Sequence, residues 1–494
     1  MSSAPSLPGR MTVIGPENGY ESPGSPSLQR LQSKRRRKRG ERRRLRPSTS
    51  ADESSGEAGG LETGTYIING GAGSEKKFGD LKRPRKTAGF RDRIGCYTWT
   101  WFTMNMATGG IANVLHSIPY RSDWLRIIGI VVFLFNVFLF LMNCLLLTLR
   151  FRWNPGSFRL SFISPSESLF IPASVVSTGT ILINSCQYGI PETGEWFQTT
   201  MQVCFWVYVA IAVVASAGIY LIIWSTQTFP IHTMTPIWIF PAYPLLLTAP
   251  FAANLIDSLP DAAAAARINS TAVAFGSICV QGTGFLVSLM IYAAFIYRLM
   301  TQKLPRETAR PGMFVSVGPS GFTVAGIVHL GNTVMQKIMP NGYLGNDSAG
   351  FFFKIVADIA GLWLWGLSLW FFIVSVGAHW QVLQFRNAKH HMHYDMTWYS
   401  FVFPNTAMIT ATQAIGRTFE SDAIQIFGTV LSVMLIVLWI FVFGMMLRAL
   451  YLRRILWPDE DIEGTEMPAK ELEPGINDGV AINGGVTGNH PGGV

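Results

Sequence analysis

Ten apolar stretches lie between residues 98 and 452 of this 494-residue chain, and every second one is interrupted by proline or by paired glycine. The even-numbered stretches, at about 125–149, 198–223, 268–300, 352–383 and 423–452, contain no proline. The odd-numbered ones carry in turn Gly109-Gly110, then Pro172, then Pro241, Pro244 and Pro250, then Gly318-Pro319, then Pro404. A proline inside a helix removes an amide donor and frees a carbonyl, and hydrocarbon offers that carbonyl no partner. Helices broken at membrane depth must face protein or water, whereas unbroken apolar helices can face lipid. The alternation predicts an all-α integral membrane protein: ten transmembrane helices as five helical hairpins, with the interrupted members around a central pore.

Composition agrees with that class. The chain is 49% hydrophobic and only 14% charged, and each stretch is long enough, at about 17 to 20 residues, to cross roughly 30 Å of hydrocarbon. The formal charge of +9 does not spread over a surface that could read nucleic acid. It resides in the run Lys34 to Arg46, ten basic residues against the single Glu41, within an arm rich in Ser, Gly and Pro. Such an arm is too polar to fold, and its charge suits the anionic cytoplasmic face of a bilayer. The expected organisation is a disordered basic cytoplasmic arm over 1–94, a ten-helix transporter domain over 95–455, and a disordered cytoplasmic tail over 456–494. Lipid is an expected partner and nucleic acid is not.

Charges in the connections set the orientation. Arg150, Arg152 and Arg159, then Arg298, Lys303, Arg306 and Arg310, then Arg386 and Lys389 follow even-numbered stretches, and Arg448, Arg453 and Arg454 follow the last. Acidic residues such as Glu192, Glu195, Asp257 and Asp261 occupy the opposite loops. Basic loops stay inside, so both termini are expected to be cytoplasmic. The two N-x-Ser/Thr sequons, at Asn269 and Asn346, fall on the opposite side and are candidate glycosylation sites.

The interrupted stretches also carry the polar residues of the membrane region. Thr103, Asn105 and Thr108, then Ser174, Ser177, Thr178 and Asn184, then Ser316, Ser320 and Thr323, then Asn405, Thr406 and Thr410 are candidate lining. No Lys or Arg lies deep in these stretches, so an anion there would be held by hydroxyls, amides and the N-terminal ends of broken helices. His329 and Asp358 are the deepest ionisable groups and candidates for proton coupling; for Asp358 the alternative is a pair with a neighbour. Arg417 could attract a dicarboxylate bidentately or pair with Glu420 or Asp422.

No catalytic constellation stands out, so an enzyme is not expected, and no cofactor is implied. The cluster His390, His391, His393 and Asp395 reads as a solvated loop rather than a metal site, because the remaining histidines are scattered singly. Five cysteines show no C-x-x-C spacing and read as small packing residues.

Four segments carry a family likeness: WFTMNMATGG from Trp101 to Gly110, ILINSCQYG from Ile181 to Gly189, RPGMFVSVGPSGFT from Arg310 to Thr323, and WYSFVFP from Trp398 to Pro404. Together they resemble the tellurite-resistance/dicarboxylate transporter family, which includes plant slow anion channels, fungal malate permeases and fungal sulfite efflux pumps. The segment opening at Arg310 is most similar to the fungal malic acid permeases. The likeness covers roughly 95–455 and excludes both tails. It implies a plasma-membrane carrier of C4-dicarboxylates such as malate or succinate, with sulfite or another small anion as the alternative cargo. It further implies a homotrimer and a pore plugged by an aromatic ring, which by motif position is Phe403. Gly109, Gly110, Gly318, Pro319 and Pro404 would then break helices so that backbone amides face the anion. One departure is Trp398-Tyr399, where many members carry two tryptophans.

Overall fold

The computed structural model describes residues 89–338, 346, 348–380, 392 and 394–457. The basic arm, most of the C-terminal tail and His390, His391 and His393 lie outside them. Among the described residues all regular structure is helical. The α-helices of ten residues or more are α1 (Phe102–Ser117), α2 (Asp123–Trp153), α3 (Pro172–Gly189), α4 (Glu195–Thr226), α5 (Thr248–Asp257), α6 (Ser270–Gln302), α7 (Gly318–Lys337), α8 (Ala349–Ala378), α9 (Phe403–Thr418) and α10 (Asp422–Tyr451).

The even-numbered helices run 30 to 33 residues without interruption. Four of the odd-numbered ones start at or near a breaker: Pro172 opens α3, Pro250 is the third residue of α5, Gly318-Pro319 opens α7, and Pro404 is the second residue of α9. Proline is well placed there, since the first amides of a helix have no intrahelical partner to lose. Gly109-Gly110, expected from the sequence to break a helix, instead lie inside the continuous α1, because glycine keeps the amide that proline lacks. Before α5, α7 and α9 the chain continues as 3₁₀ segments, Pro236–Ala242 with Leu245–Leu247, Glu307–Val317 and Met396–Phe401. These tighter turns rise about 2.0 Å per residue and extend the short helices.

Among the described residues six helical stretches are long and apolar enough to cross a membrane: the five long helices and the continuous Glu307–Thr333 stretch. A seventh is the pair Pro236–Ala242 with Leu245–Asp257, bent by 69°. Helices α1, α3 and α9 fall short on length or apolarity, because their lead-in turns divide them and their sequences carry the polar residues. Burial separates the two sets. Only 22% to 33% of the apolar windows of the long helices is buried, against 83% for Glu307–Thr333.

The short helices touch in a closed cycle: α1 on α3, α3 on α5, α5 on α7, α7 on α9, and α9 back on α1. Each long helix packs against the short helix before it. Gly321 allows a close crossing of α7 and α9, since a Cβ there would lie 2.8 Å from the Ala407 carbonyl carbon. On one side the connection after α2 is tied down by a buried pair, with Arg150 donating to both Glu167 carboxylate oxygens at 2.9 and 2.8 Å.

Candidate functional site

A polar cavity opens where the C-terminal ends of the five short helices converge. Its wall takes Asn113 and His116 from α1, Gln187 from α3, Asn254 and Asp257 from α5, His329 and Asn332 from α7, and Thr410 and Arg417 from α9. All five members of the ring contribute, which only a closed ring permits. Its volume is about 90 Å³, well below the roughly 300–1,000 Å³ of drug-sized pockets. A small acid or ion suits it better than a nucleotide.

Phe322 closes the cavity at depth. Its ring lies 5.1 Å from that of Phe403 and 6.3 Å from that of Tyr243, and Tyr243 lies 5.9 Å from Phe403. All three are at most 3% exposed. The trio brings together α7, the first residue of α9 and the 3₁₀ lead-in of α5. Tyr243 is fixed from behind, its hydroxyl donating to the Val315 carbonyl at 2.5 Å and its ring lying against Gly318. Phe403 has no polar handle; it is held by ring contacts alone, and Pro404 beside it sets the start of the helix.

The charges gather at the mouth. Arg417 donates to the Ser117 carbonyl, which anchors one nitrogen of its guanidinium. His329 Nε2 lies 3.3 Å from Asp257 Oδ2. The His116 ring meets Tyr188 edge-on at 5.4 Å. Cationic and neutral donors thus outnumber the one carboxylate in the wall, an arrangement that favours an anion.

The profile of the family described as voltage-dependent anion channel (SLAC1) matches residues 96–447. The chain belongs to the SLAC1 voltage-dependent anion channel family. It is a multi-pass membrane protein of an anion-transporting family. A malic acid transport protein of Schizosaccharomyces pombe is 28% identical over 376 residues, covering 76% of this chain and 83% of that protein. A sulfite efflux pump of Trichophyton rubrum is 25% identical over 350 residues, covering 70% and 88% respectively. An uncharacterised transporter of Methanocaldococcus jannaschii is 25% identical over 346 residues, covering 69% and 91%.

Within this SLAC1-family ring the residues that the sequence assigns to the lining divide into two groups. Several turn toward the outer helices instead. Asn105 Nδ2 donates to the Asn136 backbone and side-chain oxygens of α2 at 3.2 Å, and Asn143 of α2 donates to its Oδ1. The Thr108 hydroxyl accepts from Trp439 of α10 at 3.3 Å, and that of Thr323 accepts from Gln281 of α6 at 2.9 Å. These three take part in seams between helices; a mid-membrane polar atom is satisfied by the nearest helix, and here that helix is an outer one. Gly109 sits in the same seam, where a Cβ would lie 2.7 Å from Asn136 Nδ2.

The others lie nearer the ring's own contacts. Gly110 lets Thr406 approach from α9, and Thr406 donates to the Phe403 carbonyl at 2.6 Å. Thr103 bridges to the Met396 carbonyl at 3.2 Å. Ser320 lies 3.4 Å from the Val317 carbonyl, and Asn405 donates to the Phe401 carbonyl while its Oδ1 is buried without a partner. Of the two coupling candidates, His329 lies in the cavity wall. Asp358 does not: it is on α8, paired with Lys354 at 2.8 Å one turn away. Of the sequons, Asn269 caps the start of α6 in a left-handed conformation (φ 48°), and Asn346 Oδ1 accepts from the Ser348 amide at 2.8 Å. Asp395 caps the 3₁₀ turn leading into α9 by accepting from the Thr397 amide.

Sequence reasoning does not single out Asn113, His116, Gln187, Asn254, Tyr243 or Phe322 for the site. One signal was available: Phe322, Ala325, His329 and Asn332 recur at intervals of three and four, one face of α7.

Proposed function

We propose that this chain transports C4-dicarboxylates such as malate and succinate along the axis of the ring, with Phe403 as the gate. The observation that carries this reading is a polar cavity walled by all five short helices and ending on the Phe322, Phe403 and Tyr243 rings. Such a ring stack blocks a hydrated anion until it moves, while the donors above it give the anion a place to wait. Similarity to malic acid transport proteins supports the choice of cargo. On this reading the ten helices form five membrane-crossing hairpins around a pore, with both termini cytoplasmic, in the plasma membrane, and three copies assemble. His329, beside Asp257 at the mouth, is the group best placed to couple a proton to the anion. Thr103, Gly110, Gly318, Pro319, Ser320, Pro404, Asn405 and Thr406 remain along the path.

Uptake of labelled malate, succinate and sulfite into proteoliposomes holding the full chain tests the assignment. Entry of either dicarboxylate upholds it. Sulfite flux without dicarboxylate flux transfers the protein to the second reading, sulfite efflux on the same scaffold, which the 25% identical sulfite efflux pumps favour.

A further inference from the structure

The amide cluster in the cavity wall has a fixed polarity. Asn254 Nδ2 donates to the Pro250 carbonyl at 2.7 Å, and a carbonyl can only accept, so the orientation of that amide is set. Its Oδ1 therefore accepts from Gln187 Nε2 at 2.9 Å. The second hydrogen of the same nitrogen goes to Asn113 Oδ1 at 2.6 Å. Both donors of Gln187 are engaged, and exchanging its two ends would set oxygen against oxygen at Asn254. Gln187 Oε1 is left as a buried acceptor without a partner, on a residue only 5% exposed. Gln413 also lines the cavity with both amide atoms unpartnered, but its tip lies against Gly428 of α10 and no bond fixes which end is the oxygen.

An unpaired buried acceptor calls for a donor, and an ionised carboxylate offers none. A hydroxyl does. The same wall holds Arg417, whose fork of donors matches a carboxylate. We infer that the cavity is a recognition site for a hydroxy-carboxylate, whose hydroxyl donates to Gln187 Oε1 and whose carboxylate accepts from Arg417. This rests on the dicarboxylate-transport reading and sharpens it. Malate carries such a hydroxyl, succinate does not, and 2-methoxysuccinate keeps the oxygen but cannot donate.

The test is competitive uptake of these three acids into proteoliposomes of the full chain at about pH 7.5, where carboxyl groups of ordinary pKa are ionised. Wild type should prefer malate over both others by about five- to tenfold, the worth of one hydrogen bond to a buried group. Gln187→Met should bring the malate-to-succinate ratio toward one. Equal uptake of malate and 2-methoxysuccinate by wild type overturns the inference and leaves dicarboxylate transport standing, and that arm needs no variant to fold. A Gln187→Met protein that keeps the full malate preference overturns it too. Entry of none of the three removes the transport reading and the inference together.

Discussion

The middle of the ring and its mouth use the same kinds of side chain for opposite purposes. At mid-depth, Asn105, Asn136 and Asn143 bond to one another, and Tyr97 donates to Asn143 Oδ1, so that α1 and α2 are joined by a buried polar seam. At the mouth, Asn113, Gln187 and Asn254 also bond to one another, yet one acceptor is left over and a guanidinium stands in the same wall. In hydrocarbon an unmatched polar group costs several kcal/mol, and in the seam the amide oxygens of Asn105, Asn136 and Asn143 each have a donor, with the Asn136 amide nitrogen left over. Where the ring opens, incompleteness can be kept for a ligand.

The largest expected effect falls on the seam. Asn143→Leu removes the partner of Tyr97, the Trp101 carbonyl and Asn105 together, leaving groups that cost about 1–3 kcal/mol each. The thermal midpoint of the purified protein in detergent should fall steeply, while the malate-to-succinate ratio of whatever folds stays put; a changed ratio would erase the distinction between seam and mouth. Arg417→Gln comes next. It should raise KM for dicarboxylates about tenfold or more, the scale of a hydrogen bond to a charged group, with little change in melting; an unaltered KM would return Arg417 to a surface role. Phe403→Ala should raise anion conductance in planar bilayers about tenfold, because the ring it removes is the one that meets both Tyr243 and Phe322 most closely, at 5.9 and 5.1 Å. Conductance equal to wild type would retire it as the gate. The smallest effect belongs to Thr108→Val, which loses one seam contact with Trp439: about 0.5–1.5 kcal/mol of stability and no change in flux.

Legibility in the sequence followed the range of the interaction concerned. Pro172, Gly318-Pro319 and Pro404 mark helix starts through local backbone chemistry, and the helices they open are the buried ones. The direction of a polar side chain is a different matter. Asn105 and Asn113 lie on the same helix, roughly 80° apart around it at 3.6 residues per turn. Both are amides in an apolar context, and only their partners separate them: Asn136 and Asn143 for one, Gln187 for the other. For Asp358 the sequence leaves proton coupling and a pair with a neighbour both open, and Lys354, one turn before it at 2.8 Å, shows the pair.

The amino-acid sequence alone determined the class of the protein and the division of its helices into interrupted and smooth, because hydropathy and proline act within a few residues of themselves. Tertiary structure decided the rotation of each short helix about its axis, the meeting of Tyr243, Phe322 and Phe403 from three distant segments, and the unpaired oxygen of Gln187. Those depend on which helices become neighbours, and no local window of the chain holds that information.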